Sequence, residues 1–258
     1  MKEILVGNSD LQKMNRGLFF GENLFTSFST LKGTVPFFEM HLDRLKSGLK
    51  CLYPELKYGD TILTVQGMIN SILEAEEVDL YIRITPLICL EKKNITIQIN
   101  YKEYDNSDFK LKKITTVKVN NSFSNLNQVT KMGNYSESFL KKEEVISRGY
   151  DDYLKINREG KILEASTSNV IFVKGDRVYS PAPEKMYSYH EGIILKNLLP
   201  ESIKREAIYI SELKRFDYCF LTNCVDYLVC VEAIDKFLFK DLDSKNKNDW
   251  INKLLKFT

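Results

Sequence analysis

The spacing of apolar residues along this chain changes period twice, and that change limits what the chain can fold into. Before residue 38 the pattern alternates. Residues 3–8 read as a short strand and 16–38 as two strands around the Lys32-Gly33 turn, with Phe25, Ser27 and Ser29 on one face and Leu24, Thr26 and Phe28 on the other. From Phe38 the period becomes helical: Phe38, Leu42, Leu45, Leu49 and Leu52 stripe one face, with Glu39 near the helix start and His41 and Arg44 three positions apart. A second helix is expected over 60–77, capped by Asp60 and striped by Ile62, Val65, Ile69, Ile72 and Leu73. At Leu80 the alternation returns, with strands expected at 80–90, 94–101 and 113–119. Strands and helices grouped in this way describe an α+β layer, not a helical bundle and not an alternating α/β unit.

The small polar run 120–127 reads as a linker. Beyond it come a helix at 134–148 carrying Phe139, Leu140 and Ile146, and hairpins at 153–163 and 169–179 that turn on Gly160 and Gly175. A helix follows at 191–199, stopped by Pro200, then strands at 207–210, 219–221 and 228–231 with a short helix capped by Ser211. An amphipathic helix at 249–257 closes the chain. The domain organisation expected is a small N-terminal α+β domain (1–119), a linker (120–128) and a larger domain (129–258).

Composition removes several classes of function. Lysine and arginine (37) nearly balance aspartate and glutamate (35), so no global field draws the chain to nucleic acid or to an acidic membrane, and small molecules are the expected partners. The five cysteines show neither CxxC spacing nor a histidine cluster, which argues against a disulfide framework or a metal site and suits reduced core thiols. The opening apolar run ends at Val6, and no stretch approaches the length of a membrane span, so a cytoplasmic location is expected.

Chemistry concentrates between Lys131 and Asn169. An amine turns nucleophilic only where burial or neighbouring charge keeps part of it unprotonated, and a lysine ahead of a helix is ordinarily solvated. Glu164 sits among Leu163, Ala165, Ser166, Thr167 and Ser168, directly before an apolar strand. A carboxylate there needs a cation, a helix terminus or a protonated ring nitrogen as partner, and the adjoining Ser-Thr-Ser amides could serve equally.

The order of the pieces decides more than any one of them. FFGENLF (19–25), HLDRL (41–45), KMGN (131–134), GYDDYLKIN (149–157) and LEASTSN (163–169) follow one another as in the fold type IV pyridoxal phosphate enzymes, and Lys131 and Glu164 stand 33 positions apart as in that family. The chain resembles this family over nearly its whole length. The family includes branched-chain and D-amino acid aminotransferases and 4-amino-4-deoxychorismate lyase. The resemblance implies a two-domain α+β fold, a larger domain with a β-barrel-like core, pyridoxal 5'-phosphate as cofactor, and a homodimer.

By the same resemblance, Lys131 would join the cofactor as a Schiff base and move protons at the substrate, and Glu164 would lie under the ring nitrogen. Arg44 would hold the phosphate, Tyr135 the phenolic oxygen, and Ser168 and Asn169 would line the cleft. Many members open a helix with glycine-isoleucine-threonine-arginine. Here the run is Gly192-Ile193-Ile194-Leu195, which leaves the backbone amides of Ile193 and Ile194, with Thr222 or Asn223, as phosphate contacts. Thr26, Arg83 and His190 are the candidate substrate residues, and His41 reads as structural.

Length, Phe25 and Asn223 resemble the lyase, which would release 4-aminobenzoate and pyruvate. Tyr135 resembles the aminotransferases, and PLICLEKKN (86–94) replaces the glycine- and arginine-rich loop frequent in lyases. The sequence leans to the lyase, with a branched-chain or D-amino acid aminotransferase as the alternative. A third reading is a binding module that holds cofactor weakly, motivated by the missing threonine and arginine.

Overall fold

A computed structural model describes residues 1–105, 111–120, 130–183, 191–197, 203–240 and 250. They fall into two compact units, Met1–Asn106 with Leu126–Asn134, and Ser107–Asn125 with Tyr135–Thr258.

The first unit is built on four antiparallel strands: β1 (Lys2–Val6), β2 (Thr26–Ser29), β3 (Leu80–Ile88) and β4 (Ile95–Glu103), in the order β1-β4-β3-β2. Two helices, α2 (Phe38–Leu52) and α3 (Gly59–Ala75), cover one face. Leu42, Leu45 and Leu49 of α2 and Ile62, Val65, Ile69 and Ile72 of α3 are buried with Ile82, Ile84, Ile97 and Ile99 of the sheet, as the two periodicities require. Tyr58 precedes α3, and Asp60, expected as its cap, lies in the first turn, where its charge favours the helix dipole.

The hairpin expected over 16–38 is not formed. Its first half is a short helix, α1 (Arg16–Phe20), because Asn15 caps it by accepting the Leu18 amide and Gly21 ends it in the left-handed region (φ 70). The Lys32-Gly33 turn is present, but it is flanked by a single bridge between Leu31 and Thr34 and no second strand.

The second unit contains β5 (Lys112–Lys118), α4 (Ser136–Ser147), β6 (Asp152–Ile156), β7 (Ile162–Ala165), β8 (Asn169–Lys174), β9 (Arg177–Pro181), α5 (Ile193–Asn197), β10 (Ile203–Glu206), β11 (Tyr218–Asn223), β12 (Tyr227–Ile234) and β13 (Phe237–Leu238). Their order is β10-β9-β8-β11-β12-β5-β6-β7, with β13 beside β12. The sheet curls so that β7 meets β9, and the Ile162 amide donates to the carbonyl of Ile208 beyond β10. Leu154, Ile162, Val170, Leu221 and Val231 fill the curl, and Phe172 stacks on Phe216 with ring centroids 4.9 Å apart.

Four expectations change here. The strand at 112–118 joins this sheet and not the N-terminal layer, pairing in parallel with β6 and β12. On α4, Phe139, Leu140 and Ile146 are exposed and Val145 is the buried residue. The strand expected at 207–210 lies at 203–206, since Tyr209 leads into a 3-10 turn (Ile210–Arg215), and the capping contact is Glu212 accepting the Tyr209 amide rather than Ser211. Cys51 is exposed, while Cys89, Cys219, Cys224 and Cys230 are buried. Most of the linker at 120–128, the end of the 191–199 helix and all of the 249–257 helix except Trp250 lie outside the described residues. Among the described residues, no helix is long and apolar enough to cross a membrane.

Asp235 fastens β5 to the end of β12. Its carboxylate accepts the Thr115 hydroxyl (2.6 Å), the Thr116 hydroxyl (2.8 Å) and the Thr116 amide (3.1 Å). Asp235→Ala is therefore expected to lower stability by about 2 kcal/mol in urea denaturation, the range for hydrogen bonds to a charged acceptor. A loss below about 0.5 kcal/mol would contradict this role.

Candidate active site

In the first unit, Lys131 is placed by backbone pairing. The Phe25 amide donates to the Lys131 carbonyl (3.1 Å), Leu24 bridges Met132, and the Gly133 amide donates to the Asn23 carbonyl. The approach is close enough that a Cβ on Gly133 would meet Asn23 Cβ at 2.9 Å and its carbonyl oxygen at 3.2 Å, so glycine is required beside the lysine. Lys131 Nζ stands 5.2 Å from the centroid of the Phe25 ring, and the Arg83 guanidinium lies 3.8 Å from the same ring.

The alternation of β2 sorts the candidates by face. Ser27 is opposite Arg83, and Thr26 is opposite Ile84. Arg83 therefore lies with Phe25 on the face away from the helices, beside a cavity of about 620 Å³ that is also lined by Asn15, Asn23, Thr85, Gln98 and Asn100.

Thr26, expected beside the substrate, is fully buried on the helical face. Its hydroxyl is 2.7 Å from His41 Nδ1 and accepts from Arg44, whose Nη2 is also 3.3 Å from His41 Nδ1. Thr26 thus positions Arg44 and does not line Arg83's cavity. One helical turn brings His41 and Arg44 together as their spacing predicts. Burial first, then the charges of Arg44 and Lys131, holds His41 well below its usual range, so it is neutral. It is the structural histidine expected.

In the second unit, Glu164 occupies a β-bulge. Leu154 is opposite Ala165 and Ile156 is opposite Ile162, so β7 carries one residue more than β6 across this interval. Lys155, between the two registers, places Nζ 3.0 Å from Glu164 Oε1. Lys155 is not among the residues expected above, although a lysine inside the apolar run Tyr153-Leu154-Lys155-Ile156 is the kind of buried charge that demands a partner. Burial would lower its pKa, but the charge and hydrogen bond of Glu164 more than offset this and Lys155 is raised, so it is an ammonium. Tyr135 immediately precedes α4, with its ring edge-on to Phe139.

At one end of the curled sheet, small polar groups converge. Asn169, which begins β8, is opposite Thr222 of β11, and its side-chain oxygen accepts the Gly192 amide (2.7 Å) just before α5. Ile193 and Ile194 have buried side chains. Asn223, expected to touch phosphate, has other duties: its amide group donates to Ser168 Oγ (3.0 Å) and Asp226 (2.9 Å), and its oxygen accepts the amides of Val225 and Asp226. It shapes the turn, which leaves Thr222 as the nearby donor. His190 lies outside the described residues.

Pyridoxal phosphate needs an amine, a carboxylate for its ring nitrogen and several phosphate donors. The hydroxyls of Ser166 and Thr222 are buried without a hydrogen-bond partner among the described residues, the state in which a buried hydroxyl accommodates a further group. Each unit by itself holds groups of these kinds, Lys131 and Arg44 in the first, Glu164, Tyr135, Ser166 and Thr222 in the second, and that donor chemistry suits the cofactor.

The fold is one that solved transaminases share. The structure superposes on the fold IV-transaminase CpuTA1 of Curtobacterium pusillum with a TM-score of 0.78 at 18% identity, covering 95% of this chain and 90% of that one. It also superposes on a putative 4-amino-4-deoxychorismate lyase of Legionella pneumophila with a TM-score of 0.74 at 18% identity, covering 96% and 95%. By sequence, a probable branched-chain-amino-acid aminotransferase of Aquifex aeolicus is 28% identical over 221 residues, 78% of this chain and 70% of that protein. The family model for amino-transferase class IV matches residues 23–234. The chain belongs to that family, whose enzymes depend on pyridoxal phosphate.

The neutral state of His41 has a measurable consequence. Its folded pKa lies below the unfolded value of 6.5, so the unfolded chain takes up the proton first and stability is lost as pH falls through that window. Stability should therefore fall as pH drops below about 6.5, because the unfolded chain gains a proton that the folded chain does not. His41→Gln should flatten this fall in denaturant titrations, and an unchanged slope would refute the assignment.

Proposed function

We propose that the chain is a pyridoxal-phosphate-dependent aminotransferase that moves an amino group from a small amino acid to a 2-oxo acid. The observation that carries this reading is the pair of cations on Phe25: the Lys131 amine, and beside it the Arg83 guanidinium facing an amide-lined cavity. An amine with a carboxylate receptor at its side is what an amino acid substrate requires. Relatives named branched-chain-amino-acid aminotransferases support amino transfer.

When bound, the cofactor supplies a conjugated ring that delocalises the electron pair left by a departing α-proton. The chain's residues do the rest. Lys131 Nζ would hold the cofactor through its aldehyde carbon and, once free, would move the proton at the substrate α-carbon. Glu164 would hold the ring nitrogen, and Tyr135 the phenolic oxygen. Arg44, pre-positioned by Thr26 and His41, would be the first unit's donor to the phosphate, and Thr222, Ser166 and the amides near Gly192 the second unit's. Arg83 orients the substrate carboxylate. A homodimer belongs to the same proposal, supported by the exposed Leu18, Phe19 and Phe20 of α1.

A second reading, 4-amino-4-deoxychorismate lyase, is favoured by the polar lining of Arg83's cavity, which suits a dicarboxylate. In that reaction the same lysine removes a ring proton and pyruvate leaves.

The protein loaded with pyridoxal phosphate should show the absorbance band of a lysine-bound cofactor, lost in Lys131→Ala together with activity by about 10²-fold or more. Arg83→Gln should raise KM at least about tenfold, with a smaller change in kcat. Amino acids with 2-oxoglutarate should yield new amino and oxo acids. Formation of 4-aminobenzoate and pyruvate from aminodeoxychorismate, without amino transfer, would replace the first reading with the second. Absence of the band would leave the binding-module reading.

A further inference from the structure

We infer that Lys155 is a positioning residue that acts through Glu164 to keep the cofactor's ring nitrogen less basic than a lone carboxylate would make it. The inference rests on the role proposed above for Glu164, and it adds a residue to which neither the family pattern nor the sequence reading gave a part.

The ion pair is built into the sheet. The register of Leu154 against Ala165 and Ile156 against Ile162 sets Lys155 beside the bulged residue of β7, and Nζ to Oε1 is 3.0 Å. Both side chains are largely withdrawn from water, at 16% and 13% exposure, so solvent screens the pair far less than it would a surface bridge. Three titratable groups act on the same ammonium, Glu164 from β7, Tyr153 from its own strand and Tyr135 from the residue preceding α4, while β5 on the other side of β6 sets Val117 opposite Lys155.

A carboxylate aimed at a pyridine nitrogen raises that nitrogen's proton affinity through its full negative charge. Here an ammonium in hydrogen-bond contact cancels much of that charge at short range. The ring nitrogen therefore meets a nearly neutral pair in place of an anion, which lowers its proton affinity. The pair simultaneously fixes the carboxylate's orientation. Lys155 also acts electrostatically on Tyr135, the residue proposed for the phenolic oxygen, so one cation influences both polar edges of the ring.

The test is the ring-nitrogen NMR resonance of the holoenzyme loaded with pyridoxal phosphate labelled with nitrogen-15 in the ring, followed against pH alongside the absorbance band. In the unmodified protein the resonance should lie between the neutral pyridine and pyridinium positions, or titrate within the accessible pH range. Lys155→Met should move it toward pyridinium and raise its apparent titration midpoint by about one pH unit, a tenfold rise in proton affinity. Lys155→Arg should restore the wild-type position, which a purely structural role would not predict. In a Glu164→Gln background, Lys155→Met should produce a much smaller shift.

A full pyridinium resonance in the unmodified protein overturns the inference without any variant, should the methionine protein not fold. So does a methionine variant that titrates like wild type. Absence of lysine-bound cofactor in the unmodified protein overturns the functional reading and this inference with it.

Discussion

The close approach of residues 131–133 to 23–25 is the constraint on which the candidate site depends. Lys131 precedes a helix in the sequence, where a lysine is ordinarily a mobile surface group. Three backbone contacts and a glycine without room for a side chain convert it into an extension of the first unit's sheet. Because that pairing is in the backbone, the amine's position over Phe25 is tied to the register of β2 against β3, which also sets Arg83 on that ring. The same register turns Thr26 inward to hold Arg44. One strand thus positions Lys131, Arg83 and Arg44, and a slip of one residue would exchange the faces they occupy.

The second unit uses irregularity where the first uses register. A regular β7 would direct Glu164 by simple alternation; the bulge re-aims it and gives Lys155 two residues to face. Burying this pair costs desolvation of both charges, which a salt bridge of this kind does not necessarily recover in stability. The pair is therefore read as control of Glu164 and not as a fold stabiliser. The neighbouring polar groups at Asn169, Gly192, Thr222 and Asn223 show a similar division: Asn169 and Asn223 shape loops, and the open hydroxyls are left to Ser166 and Thr222.

Much of this was legible in the sequence because it depends on local patterns. The stripes of α2 and α3, the hairpins at Gly160 and Gly175, and the His41-Arg44 pair follow from periodicity and turn chemistry. What was not legible depends on partners distant in the chain. The strand at 112–118 has the composition of its predecessors, and only pairing with β6 and β12 assigns it to the second sheet. Residues 16–20 are apolar enough for a strand, yet caps at Asn15 and Gly21 make them a helix. Thr26 and Asn223 were sound candidates by residue type, but hydrogen bonds to Arg44, His41 and the 225–226 amides commit them elsewhere. Lys155 carried a signal, a charge within an apolar strand, whose meaning needed the Glu164 contact to become clear.

Lys131, and no other lysine, is the residue proposed to carry the cofactor. Loading the protein with pyridoxal phosphate, reducing it with borohydride and mapping the modified peptide by mass spectrometry tests this directly. The pyridoxyl adduct is expected on the peptide containing Lys131. An adduct on Lys155 or any other lysine in its place, or none at all, would contradict the account.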